Sequence, residues 1–75
     1  MVARLFAGLE RRTREGRAEQ RLPARDAPTV AALFEALGLD GRVAGLVLVN
    51  GLHADDATVL ESGDEVAIFP PVGGG

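Results

Sequence analysis

"PTVAALFEALG" (Pro28–Gly38) is the stretch on which the fold turns. Thr29 follows a proline and can accept a hydrogen bond from the first free N–H groups of a helix, as an N-cap does. Val30, Leu33, Phe34 and Leu37 then recur at i, i+3, i+4 and i+7, the spacing that gathers apolar side chains into one stripe. Gly38 stands where a left-handed residue ends such a helix. The stretch predicts one amphipathic helix of two to three turns whose stripe is core. A single helix of that length covers one face of a sheet and no more.

The flanking segments supply the sheet. "VARLF" (Val2–Phe6) is short and apolar, and predicts a first strand. "RRTREGR" predicts a turn, with Gly16 free to take positive φ. Arg17 to Leu22 alternates Arg17, Glu19 and Arg21 with Ala18, Gln20 and Leu22, a weak period of two that predicts an edge strand and an opening hairpin. "GLVLVNG" (Gly45–Gly51) predicts a central strand closed by the Asn50-Gly51 turn. Thr58–Leu60 could hold a short strand, and Ser62-Gly63-Asp64 marks another turn. "EVAIF" (Glu65–Phe69) is the last strand, ended by Pro70 and Pro71, which cannot donate to a ladder. The order β-β-α-β-(β)-β predicts a two-layer α+β fold, a mixed sheet of four to five strands with one main helix packed on one face. Its first and last strands lie side by side, and its other face is uncovered and free for a partner.

Composition narrows the chemistry. The chain has 75 residues, 11 acidic and 8 basic, a net charge of −3 and no cysteine. One domain of this size must be held by apolar packing, because disulfides and thiolate metal sites are excluded. A weakly acidic domain is unsuited to neutralising phosphates, so nucleic acid is not an expected partner. The arginines at 11, 12, 14 and 17 are interrupted by Glu10 and Glu15, and read as a solvated loop or strand edge. No apolar run approaches the ~20 residues that span a bilayer, and no signal-peptide pattern opens the chain, so no membrane is involved and a cytoplasmic location is expected. His53 has no second histidine, cysteine or clustered carboxylate at ligand spacing, and reads as an exposed loop residue. Asp55 and Asp56 suit a turn or cap, and Ser62 lacks an activating partner. No active site, bound cofactor or metal site is expected in this chain.

The tail "FPPVGGG" (Phe69–Gly75) remains. Gly-rich phosphate cradles are followed by a helix, and none follows here. The glycines succeed two φ-restricted prolines without a polar spacer. A stiff exit with a slim tip can thread a narrow passage, and the chemistry suited to it is activation of its own terminal carboxylate; the alternative is a frayed end without function on a plain interaction module.

"LVLVNG" followed by "ESGDEVAIFPPVGGG" resembles the MoaD/ThiS sulfur carriers, which are ubiquitin-like β-grasp proteins. The resemblance extends over the initial strand ending in "LFA", the helix opened by "PTV" and the strand ending in "VNG". "GDEVAIFPPVGGG", with its "FPPV", is similar to the molybdopterin synthase small subunit more than to thiamin carriers. The resemblance implies a β-grasp domain over 1–72 and a flexible glycine tail over 73–75. It implies that a ubiquitin-activating-type adenylating enzyme (MoeB/ThiF-like), using ATP and magnesium, adenylates the carboxylate of Gly75. A persulfide-derived sulfur would then leave a thiocarboxylate. The recipient would be the large subunit of molybdopterin synthase (MoaE-like) or another sulfur acceptor, and the carrier itself would be a non-catalytic subunit. Gly74 is the slim neighbour that the motif requires, and Phe69, Pro70, Pro71, Val72 and Gly73 would direct the tail and meet partners. Ordinary core packing is the alternative for Phe69. Two features depart from the family pattern: Gly73 is an extra glycine before the final pair, and the segment from Gly38 to Gly45 is short for a molybdopterin synthase subunit. The resemblance also leaves open thiamin, cysteine, tRNA-thiolation or tungsten-cofactor synthesis, and conjugation to other proteins through Gly75. The chain has no lysine, so it cannot build lysine-linked chains of itself.

Overall fold

The computed structural model describes residues 1–71. Five strands form one sheet: β1 (Val2–Leu5), β2 (Glu19–Arg21), β3 (Leu46–Val49), β4 (Leu52–His53) and β5 (Glu65–Phe69), with the helix α1 at Val30–Leu37. The spatial order is β2-β1-β5-β3-β4. β1 runs parallel to β5 and antiparallel to β2, and β3 is antiparallel to both β5 and β4. Parallel neighbours need a long crossover between them. Here the crossover carries α1 onto one face, so the first and last strands take the centre, as the sequence predicts.

The helix forms where its signals stand. Thr29 Oγ1 accepts from the Ala32 N–H at 3.2 Å, and Gly38 closes the helix at φ 73°. Val30, Leu33, Phe34 and Leu37 are all buried. They pack on Ala3, Leu5, Val66 and Ile68 of the two central strands, with Leu9, Ala27, Leu39 and Leu60 closing the margins. Val30, Leu33, Val66 and Ile68 are the largest side chains with essentially no exposure. These eight strand and helix residues form the dry layer that substitutes for disulfides in so short a chain.

Several expectations are corrected. The expected strand near Thr58–Leu60 is a single bridge between Val59 and Thr29. β3 is interior, but its outer neighbour β4 has only two residues, so all four of its side chains stay half-buried. His53 lies on that edge strand and not in a loop, though it is exposed. The Asn50-Gly51 turn makes the β3–β4 hairpin with φ of 52° and 83°, the paired positive values of a type I′ turn. The arginine-rich segment contains a 3-10 turn at Leu9–Arg12. Arg14 is also more than a solvated residue: its guanidinium donates to the carbonyls of Glu35 and Ala36 at 3.0 and 2.6 Å, and so satisfies the end of α1.

Candidate functional site: the open sheet face and the tail exit

Side chains alternate along a strand, so burying Val66 and Ile68 under the helix sends Glu65, Ala67 and Phe69 to the other face. In β1 the inward Ala3 and Leu5 likewise leave Arg4, and Phe6 beyond it, on the open face. Paired residues share a face, and the register therefore sets Leu48 beside Ala67 and Leu46 beside Phe69.

The two ends of this face differ chemically. Away from the tail, Arg4 pairs with Glu19 at 3.3 Å and also with Glu65, and these contacts hold its guanidinium charged above its ordinary range. Toward the tail the face is apolar. Phe6 and Phe69 stack with ring centroids 4.5 Å apart and planes within 8° of parallel, at the near end of the separations that aromatic pairs adopt. Phe6 remains 40% exposed, the largest exposure of an aromatic ring here. Phe69 is thus not a core residue: it caps the open face where the chain leaves it. Alternation in "EVAIF" carried that signal, since Val66 and Ile68 inward require Phe69 outward. The same alternation in "VARLF" marks Phe6, which sequence reasoning missed as a site residue.

β5 delivers the chain end from the middle of the sheet. The Phe6 N–H donates to the Ile68 carbonyl at 3.0 Å, and the Gly45 N–H donates to the Phe69 carbonyl at 2.7 Å, so the β1 side holds β5 to Ile68 and the β3 side holds it to its last residue. Pro70 then ends the ladder, because it has no N–H. Pro70 and Pro71 pass along a shallow groove shared with Ala7, Gly8, Val43 and the arginines 11, 12 and 42. Arg42 is engaged by Asp40, 2.8 Å away, and its hydrogen bonds lower the Asp40 carboxyl to about 2. Arg11 and Arg12 are exposed, and form no ion pair among the described residues. The exit is therefore apolar on its sheet side and cationic on the side of the 3-10 turn.

Of the tail residues singled out in the sequence, the structure brings Phe69, Pro70 and Pro71 together at this exit. Val72, Gly73, Gly74 and Gly75 lie outside the described residues. Among the described residues no three His, Asp or Glu side chains approach closely enough to hold a metal ion, and no helix is long and apolar enough to cross a membrane. Asp55 does serve a turn, accepting from the Ala57 N–H at 2.9 Å.

Comparison with known proteins gives this geometry a family. No curated protein matches the chain. Among solved structures, the crystal structure of SAMP1 from Haloferax volcanii is similar at 34% identity over 99% of this chain and 97% of that one, with a TM-score of 0.70. A second crystal structure, of H. volcanii small archaeal modifier protein 1, is similar at 32% identity over 95% of both chains, with a TM-score of 0.74. The solution structure of the Haloferax volcanii HVO 2177 protein is similar at 31% identity, covering 99% of this chain and 84% of that one, with a TM-score of 0.69. The model of the ThiS family matches residues 4–75, nearly the whole chain and all of the glycine tail. The mixed five-stranded sheet, its single main helix and this match agree, and the chain belongs to the ThiS family of ubiquitin-like β-grasp proteins.

Proposed function

We propose that this protein is a cytoplasmic sulfur carrier whose working group is the carboxylate of Gly75. The observation that carries this reading is that the ThiS family match runs through the terminal glycines, directly beyond an exit held by two strands and stiffened by two prolines. In the proposed cycle the Gly75 carboxylate attacks the α-phosphorus of ATP on an activating enzyme of the MoeB/ThiF type, and pyrophosphate leaves with magnesium. The terminal sulfur of an enzyme persulfide then attacks the acyl carbonyl and AMP departs, leaving an acyl disulfide. A second thiol of the partner enzyme attacks the enzyme-side sulfur, so that the S–S bond breaks, the thiocarboxylate leaves and an enzyme disulfide remains. Gly74 keeps the passage to the acyl carbon free of side chains, with Gly73 adding slack and no bulk. Phe69, with Phe6, would seat on the partner, while Pro70, Pro71 and Val72 aim the tail. The chain supplies no catalytic group. It supplies a slim substrate end that a partner's channel can admit.

The recipient in this proposal is the large subunit of molybdopterin synthase (MoaE-like), for which "FPPV" before the glycines is the supporting feature. A second reading is conjugation of Gly75 to lysines of other proteins, and it is favoured by the similarity to a small archaeal modifier protein. Both readings share the adenylation step. Carrier-dependent exchange of pyrophosphate into ATP by the host's activating enzyme tests that step. Exchange with the intact chain, abolished by removing Gly75, is expected, and equal exchange by the shortened chain contradicts it. Supplying the activated carrier with molybdopterin synthase large subunit or with host extract then separates sulfur transfer from conjugation.

A further inference from the structure

Gly45 stands immediately before β3, exposed at the surface, and its backbone needs no glycine. Its φ lies outside the left-handed region that Gly38, Gly51 and Gly63 occupy, so any L-residue could take its conformation. What refuses a side chain there is the tail. A Cβ at Gly45 would fall 2.6 Å from the nitrogen of Pro71 and 2.8 Å from the carbonyl carbon of Pro70, and closer still to the Pro71 Cα. These are backbone atoms on two φ-restricted residues, so no rotamer change relieves the contact. At the same residue the N–H holds the Phe69 carbonyl at 2.7 Å. Gly45 therefore binds the last residue of β5 and leaves a niche into which the next two press.

We infer that Gly45 is the positioning residue for the carboxyl-terminal tail, its missing side chain setting the direction in which Pro70 and Pro71 carry the chain away from the sheet. The functional half of this inference rests on the carrier reading above. Restoring an ordinary carbon–carbon separation of about 3.5 Å requires the exit to retreat by roughly 1 Å. The Pro-Pro step is stiff, so the retreat is passed to the residues that follow instead of being absorbed. A reacting group misplaced by that much can lose about 10²-fold in rate. The added carbon would meet the backbone of Pro70 and Pro71 and not the stacked rings of Phe6 and Phe69, so the open-face surface keeps its side chains while the exit moves.

The test is Gly45→Ala in the full chain, read by pyrophosphate exchange with the activating enzyme and by amide NMR. Turnover is expected to fall at least about tenfold with KM for the carrier within about twofold, and the amide shifts to move at Phe69 and Val72 while those of α1 stay. The double variant Gly45→Ala/Pro71→Gly, which lets the exit bend away, should recover part of the turnover. Unchanged turnover, or a loss expressed in KM alone, overturns the inference, as does an unmoved Phe69 amide. Should the variant not fold, the wild type decides: a nuclear Overhauser contact between the Gly45 and Pro71 α-protons is expected, and its absence overturns the niche. If wild-type chain supports no exchange while the contact and the shifts are present, the positioning stands and the carrier reading fails.

Discussion

The two faces of the sheet are built from alternate residues of the same strands, yet they do different work. Under α1, Ala3, Leu5, Val66 and Ile68 are packed to 3% exposure or less, and the side chains of the helix close over them. On the other face Phe6, Phe69, Leu46 and Leu48 remain partly in water beside Arg4 and its two glutamates. Apolar burial is the main favourable term in a chain without disulfides or metal, so the covered face carries stability. The open face costs some of that potential burial and keeps it for a partner. Replacements on the two faces should therefore separate folding from recognition.

The largest effect is expected under the helix. Leu33→Ala should cost about 3 kcal/mol, most of what a core of this size supplies, and denaturant titration should find a chain with little folded baseline. Retained cooperative unfolding near the wild-type midpoint would show that the helix layer is not the main support.

Phe69→Ala is expected to leave a folded chain, since its ring stacks outside the core. A double-mutant cycle with Phe6→Ala should give a coupling of about 1 kcal/mol in stability. Binding to the activating enzyme should weaken more for this pair than for any replacement under the helix that still folds. A Phe69→Ala chain as unstable as Leu33→Ala would erase the difference between the faces.

Thr29→Ala removes the bond to the Ala32 N–H and should cost about 1 kcal/mol, seen as a lower thermal midpoint with pyrophosphate exchange unchanged at 25 °C. A parallel loss of exchange would couple the helix start to the tail.

The smallest effect concerns pH. Asp64 accepts from the Glu61 N–H at 2.8 Å and from the Asn50 amide at 2.9 Å, and these bonds lower its carboxyl below the ordinary carboxylate value. A carboxyl lowered in the folded state contributes stability that is complete above its unfolded pKa and lost as pH falls through the folded one. The thermal midpoint should therefore drop on acidification below about pH 4, and Asp64→Asn should flatten that drop slightly. An equally steep acid slope in the variant would assign the acid sensitivity elsewhere. The change is small because Asp64 lies near the surface.

Much of this contrast was legible in the chain. The i, i+3, i+4, i+7 stripe, the Thr29 cap, Gly38 and Asn50-Gly51 are local signals, and local hydrogen bonding realises each of them. Phe69 was readable too, but only by counting alternation through "EVAIF" and not by its hydrophobicity. What could not be read depends on distant neighbours. The two-residue β4 is too short to show a period, and Val59 pairs with Thr29 at a single bridge. Arg14 caps a helix that ends 23 positions later, and Gly45 takes its meaning from Pro71, 26 positions on. The candidate site was visible as a tail motif, whereas its exit and the aromatic stack beside it are products of the sheet.

The chemistry of the last carboxylate is read by the intact mass of the protein purified from its own host under conditions that preserve labile acyl groups. A fraction heavier by the exchange of one oxygen for sulfur is expected, with fragmentation assigning the change to Gly75. An unmodified mass throughout, persisting after incubation with ATP, a sulfur source and the host's activating enzyme, would contradict it.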